Sequence, residues 1–413
     1  MSLTPAVTVD AAQLGGPSWL VERRRATADR LDAVEVPDDG AEVWRYSPIR
    51  DLDLDAFDAP SERDWDPETI DADGAAARIR LVDGRVQAIG LAPDVVGLDI
   101  GIARDEADAP FDVPLGDEYV ALMAETLASD PIYIRVQPGR AIEAPVVIEH
   151  EAATSDGLVA TLVAVHAGAD SEVTVIERRH SGPHRALVIP LLDITVEDAA
   201  RVRHVDAQLL GEHTWQLGQQ RARVGAQATL SMYQAGLGGR YARMRTDCQL
   251  IGQGAHGTLS AVYLGGDHQT LDYRTFQDHV AADTTSNLLF KGAVDDHARS
   301  IYSGLIRVRP TARGTSAFQT NRNIKLSETA WAESVPNLEI ETNDVRCSHA
   351  STVGPIDEDQ RFYLESRGVP PEDAEQLILA GFFAEVLQAM PAPALAHELS
   401  GVIATRLEGT RSR

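Results

Sequence analysis

The chain has 413 residues, 44% of them apolar, enough to bury a sizeable core in two or three structural units, and its formal charge is −26 at pH 7. So acidic a surface repels phosphate backbones and anionic membranes, which removes nucleic acid and lipid from the expected partners. Lys291 and Lys325 are the only lysines, and neither lies in the Gly-Lys-Ser/Thr setting of a phosphate loop, so any ATP hydrolysis would belong to another chain.

The opening stretch MSLTPAVTVDAAQLGG has no basic n-region and no long apolar core, and no apolar run approaches bilayer length. A cytoplasmic location is therefore expected, with Cys248 and Cys347 as reduced thiols too few for a disulfide framework. Residues 1–130 read as a mixed, largely helical region. Ser18 is the expected N-cap of a first helix with Trp19, Leu20, Ala26 and Leu31 near helical spacing. The Asp- and Pro-rich run DLDLDAFDAPSERDWDPETIDADG reads as an extended acidic connection, and residues 115–129 as a second helix.

From residue 131 to 355 the texture changes to short β-like runs between small-residue turns. Turns at Gly168, Asp198, Gly225, Gly254 and Ala281 recur every 27 to 30 residues, each followed by alternating β-formers such as Val173-Thr174-Val175. A fixed period without runs of helical length predicts a mainly β fold, a parallel β-helix whose coils stack strand on strand. An antiparallel sandwich, whose strands also alternate, is the competing architecture.

Residues 356–413 read as a helical domain. Asp357 and Gln360 have capping-box spacing, and Gly368 is a natural stop. The segment PPEDAEQLILAGFFAEVLQAM opens a second helix here with prolines and acids, and Ala374, Leu377, Ile378, Gly381, Phe382 and Glu385 run along one face at i, i+3, i+4 spacing, five of them apolar or small. ALAHELSGVIATRLE supplies a third.

Several motifs carry competing readings. Gly252, Gly254 and Gly257 match G-x-G-x-x-G, but a β-like run follows where the dinucleotide fingerprint needs a helix N-terminus, so the match reads as a coil corner. His180 and His184 flank a Gly-Pro and read as a solvated loop. His268, Asp272, Asp278 and His279 could bind metal or do acid–base work, though such residues also satisfy backbone groups at corners, and the latter reading is preferred. Cys248 reads as core.

Val345, Cys347 and His349 alternate onto one face of a strand, and two positions span about 6.6 Å, so thiolate and imidazole can converge on one iron or zinc ion. They supply two ligands where a closed site has four, so the rest must come from elsewhere. The bland reading makes Cys347 a small buried hydrophobe and His349 a polar cap.

The segments LLFKGAVDDHARSIYSGLIRVRP, FQTNRNIKLSETAWAESVPNLEIETNDVRCSHASTVG and DEDQRFYLESRG resemble the SufB/SufD scaffold subunits of the SUF iron–sulfur cluster assembly system. PSWLVERRR, EVWRYSPIRDL and the cysteine-free FQTNRNIKLSE are most similar to the SufD branch. The resemblance implies an N-terminal helical region, a right-handed parallel β-helix and a C-terminal helical domain. It also implies a SufB-type partner at the late coils and a SufC-type ABC ATPase on the C-terminal helices, where Leu377, Ile378, Phe382 and Phe383 are the candidate contacts. His349, with Cys347 beside it, would contribute to a transient iron–sulfur cluster at the subunit interface, without a stably bound cofactor in the isolated chain. The role is that of a non-catalytic scaffold, with a homodimer possible in isolation. The alternatives are a SufB-like subunit that assembles a cluster itself and a β-helical polysaccharide lyase or hydrolase, the latter disfavoured by 5% aromatic content.

Overall fold

Alternating β-formers between small-residue corners build two parallel sheets whose strands alternate along the chain. The computed structural model describes residues 15–60, 66–105 and 118–411. In one sheet, Val173, Val202, Leu230, Gly257, Ser286, Ala317 and Cys347 lie in register, one above the other, at offsets of 27 to 31 residues. The neighbours run parallel, as coils of a solenoid must, which excludes the antiparallel sandwich.

The corners explain the sequence repeat. Asp170, Ala199, Gln227, Gly254, Asp283 and Gly314 occupy one corner of successive coils, and all have φ between 55° and 77°. Each donates its N–H to a carbonyl of the next corner, those of Asp198, Ala226, Gln253, Ala282, Arg313 and Asp344. A left-handed backbone favours Gly and Asp, so small and acidic residues recur with the coil. The apparent dinucleotide fingerprint falls at such a corner, with Gly252 so tightly placed that a Cβ would lie 2.0 Å from the Ala226 nitrogen. The strand His256–Gly265 follows.

The two ends of the stack differ. At the N-terminal end the hairpin Ala77–Val82/Arg85–Leu91 pairs onto Val146–Ala152, and Leu98–Ile102 runs antiparallel to Ile132–Val136. These strands lie in the region expected to be largely helical. At the other end, Trp331–Ile340 and Val345–Gly354 each finish a sheet, with no further strand beside them among the described residues.

Five α-helices flank the solenoid: α1 (Ser18–Leu31), α2 (Tyr119–Leu127), α3 (Glu358–Glu365), α4 (Pro371–Leu387) and α5 (Pro393–Arg411). Pro17 rather than Ser18 holds the N-cap position of α1, because its extended backbone leaves Ser18 as the first helical residue. Residues 115–117 of the second expected helix lie outside the described residues. So do residues 1–14 and part of the acidic connection, 61–65; around its start the chain folds into 3-10 turns at Ile49–Asp51 and Leu54–Ala56, and its later part holds the two-residue strand Glu68–Thr69. With α2, these turns cover one sheet, packing Ile49, Leu52 and Leu54 into the cluster that holds Leu187, Ile189 and Leu217.

The helices α4 and α5 cover the other sheet, placing Leu379, Phe383, Leu399 and Ile403 among Val205, Ala207, Ala235 and Val262. Asp357 caps α3 by accepting from the N–H groups of Asp359 and Gln360 at 2.9 and 3.1 Å. The buried stripe of α4 is Ala374, Leu379, Phe383, Val386 and Leu387, while Leu377, Gly381 and Glu385 face outward. The face aligned by helical spacing in the sequence is thus mostly not the buried one, because α4 is apolar almost all round and more than one stripe satisfies that spacing. No described helix is long and apolar enough to cross a membrane.

Candidate functional site at the open end of the solenoid

Val345, Cys347 and His349 stand on Thr315, Ala317 and Gln319 of the coil below, all three buried. The three side chains thus continue the inward-facing columns of the stack. No described coil lies above them, and His349, which an interior column would otherwise bury, is exposed.

His349 is held by the opposite sheet. Its Nδ1 lies 3.0 Å from the Pro336 carbonyl oxygen. A carbonyl only accepts, so Nδ1 carries the proton and Nε2 keeps its lone pair for an incoming Lewis acid. A backbone carbonyl that fixes the tautomer in this way also orients the ring. Nothing in the sequence pointed to Pro336 as this partner, although the alternation of its strand puts it on the same inner side as Leu338.

Cys347 is half-buried against Leu338, Val345 and Ala317. Burial raises its thiol pKa, a hydrogen bond involving the Ala317 backbone opposes the rise, and the net direction is upward. A thiol so placed is a weak nucleophile and becomes a ligand only when a metal ion displaces its proton. Among the described residues no group of three or more His, Cys, Asp and Glu side chains could hold a metal ion. Cys347 and His349 therefore have no third such donor beside them among the described residues, and His349 is open to solvent.

The remaining motifs are not brought together. His180 ends a strand and is exposed, whereas the His184 Nε2 lies 3.1 Å from the Ala152 carbonyl. Asp272 is buried under Tyr241, Arg243 and Arg274; Asp278 pairs with Arg309; His279 is buried between Thr284 and Ser286; and His268 stacks on His297 at an exposed corner. Each has a structural partner of its own, so the four form no site. Cys248 is core, its thiol pushed up to about 12 by burial and then by Asp247 and Asp278.

A second feature lies on the flank. Lys291, 3% exposed, reaches out of the strand Thr285–Val294 to donate to the Phe382 carbonyl at 2.9 Å and to pair with Glu385. It ties α4 to the solenoid. The spacing of residues 291 and 382 in the chain gave no signal of this contact.

A family model described as SUF system FeS cluster assembly, SufBD core domain, matches residues 148–382. The chain is 31% identical over 395 residues to an iron–sulfur cluster assembly SufBD family protein of Mycobacterium tuberculosis, covering 92% of each chain. The chain belongs to the SufB/SufD family. The iron–sulfur cluster assembly protein SufD of Escherichia coli is 29% identical over 380 residues, 89% of this chain and 88% of that one. SufD of Bacillus subtilis is 34% identical over a shorter 159 residues, 38% of this chain and 36% of that one.

The SufB/SufD core match contains the coil stack, Lys291, the Cys347–His349 strand and most of α4. Beyond Lys291, α4 and α5 enclose an apolar groove of about 710 Å³ lined by Leu377, Ala380, Leu387 and Ile403 among others. Of the four candidate contacts on α4, Leu377 is exposed, Ile378 and Phe382 are half-buried, and Phe383 is 1% exposed and packs towards the solenoid.

Proposed function

We propose that the chain is a SufD-type, non-catalytic scaffold subunit of a cytoplasmic iron–sulfur assembly complex. Its three parts are an N-terminal region (1–130), the coil stack (131–355) and a C-terminal helical domain (356–413). A SufB-type subunit pairs with the uncovered last coil, and a SufC-type ATPase docks on the C-terminal helices. Iron and sulfide are the cargo, and His349 supplies one ligand from its free Nε2 while the companion subunit completes the coordination sphere.

The observation that carries this reading is the contrast between the two ends of the stack. One end finishes in short strands of two and five residues, Glu68–Thr69 and Leu98–Ile102, while the other leaves ten-residue edge strands and an imidazole, held by the Pro336 carbonyl, facing solvent. Edge strands of that length are a ready template for pairing with another chain unless something covers them.

The test is cluster assembly by the complex co-expressed with His349→Ala. The complex should purify with the same subunits while anaerobic cluster formation falls about tenfold or more. Unchanged cluster formation would remove His349 from the site. A stable cluster on the isolated parent chain would instead favour the SufB-like role.

A further inference from the structure

The segment EVWRYSPIRDL does more than cover a sheet. It runs along the stack, crossing one strand after another towards the open end. Trp44 is buried under Arg243 of the strand Tyr241–Leu250, with the guanidinium carbon 3.9 Å from the ring centre. On the next strand, Thr270–His279, Arg274 donates to the Arg45 carbonyl at 2.7 Å. The Tyr46 ring centre then lies 5.6 Å from that of Trp331, the first residue of the edge strand Trp331–Ile340. Arg299, on the strand between, stands 4.5 Å from the centre of the Trp331 ring.

Tyr46 meets Trp331 from a costly backbone. Its φ is 70°, in the left-handed region, where a bulky side chain is an outlier. The neighbours enforce it: Arg243 and Arg274 fix the two residues before it, and the Ser47 N–H donates to the Trp44 carbonyl at 3.0 Å. Covering the sheet does not call for this strain, since Trp44, Ile49, Leu52 and Leu54 supply the buried surface and Tyr46 is only half-buried. Strain that surroundings enforce recurs where geometry serves function.

The edge strand shows what is served. Among the described residues Trp331–Ile340 has a neighbouring strand on one side only, and none of its ten residues is fully buried. Side chains anchor it near its two ends. Leu338 packs with Cys347 and Val345 at one, and Trp331 stands against Tyr46 and Arg299 at the other. Pro336 lies between these anchors, and its carbonyl is the acceptor for the His349 Nδ1 proton. An edge strand opens from a loose end. With Pro336 displaced, the imidazole proton redistributes between the two nitrogens, and protonation of Nε2 closes the lone pair that a metal ion needs.

We propose that Tyr46 is a positioning residue for His349, acting through Trp331 and Pro336. The N-terminal strap clamps the edge strand, the strand presents the Pro336 carbonyl at a fixed place, and the carbonyl keeps Nε2 unprotonated. The importance of this clamp for assembly rests on the reading of His349 as an Nε2 ligand; the clamp itself does not.

The test reads the imidazole directly, on the full chain without iron, labelled with nitrogen-15 in histidine. At about pH 8, above the ordinary imidazole range, two-bond proton–nitrogen correlations distinguish the Nδ1–H from the Nε2–H form, and His349→Gln assigns the signals. The parent and Tyr46→Phe, which keeps the ring, should show the Nδ1–H form alone. Tyr46→Ala and Trp331→Ala should each show at least about one third of the Nε2–H form. Hydrogen exchange of the amides at 332–335 should be at least about tenfold faster in both alanine variants, with Glu172–Ser181 and Arg201–Leu209 unchanged because the stack stays folded. An unaltered tautomer in both alanine variants would overturn the proposal. Unchanged cluster formation by a complex carrying His349→Ala would instead remove the ligand role and leave the clamp standing.

Discussion

Replacing Lys291 with methionine removes a charge from a buried contact while keeping its volume. The ammonium makes a hydrogen bond of 2.9 Å to the Phe382 carbonyl and lies 4.8 Å from the centre of the Phe382 ring. A hydrogen bond from a charged donor contributes about 1.5–3 kcal/mol, and a partly desolvated cation–π contact about 0.5–2 kcal/mol. The pairing with Glu385 adds little because that carboxylate is largely exposed, although the hydrogen bond from Lys291 holds its pKa below the ordinary value. Burying the ammonium costs part of this back, leaving a net loss near 2 kcal/mol on substitution. A deficit of about 2 kcal/mol is roughly a 30-fold change in an opening equilibrium. Hydrogen exchange read by mass spectrometry should therefore show the α4 amides of Lys291→Met exchanging roughly 30-fold faster, with the central strands unchanged. Acceleration of α4 by less than about threefold would refute the reasoning and make Lys291 a bystander in coupling the C-terminal helices to the coils.

The pH dependence of stability has a definite sign. Burial lowers the His279 pKa from 6.5 to about 4, so the unfolded chain binds the proton first and stability falls as pH drops through that window, with no further loss from this group below it. About 3 kcal/mol is at stake, with His150 shifted in the same direction, and denaturant midpoints of the parent and His279→Gln should diverge between pH 7 and 4.5; parallel profiles would count against it. Thiol alkylation should be ordered: limiting iodoacetamide should modify half-buried Cys347 in the native protein and reach Cys248 only after unfolding. Peptide mapping that found Cys248 labelled first would contradict the burial argument.

Much of this architecture was legible in the chain because its corners impose a chemical requirement. Tight corners once per coil select small residues, since a Cβ at Gly168 would lie 2.8 Å from the Pro138 nitrogen and one at Gly225 2.7 Å from Asp198 Oδ1, and Gly254 is left-handed besides; that selection printed the period from Gly168 to Ala281. Alternation was enough to put Val345, Cys347 and His349 on one inward face. Whether that face is covered was not legible, since exposure there depends on the absence of one more coil rather than on any local residue. The N-terminal hairpin did leave a signal that was not used: Asp83-Gly84, both at positive φ, form the tight two-residue turn between Val82 and Arg85. The orientation of α4 had no unique signature, because Leu377, Ile378, Leu379, Phe382 and Phe383 offer apolar surface in several directions.

The short outer strands of the hairpin end have a consequence for assembly. A stack unsealed at both termini would polymerise head to tail into a fibre, since each added copy would expose a fresh edge for the next. Here the outermost strands differ in length: Glu68–Thr69 and Leu98–Ile102 have two and five residues, against ten each for Trp331–Ile340 and Val345–Gly354, so an arriving copy would find most of the unpaired backbone at the last coil and growth from the hairpin end would gain little.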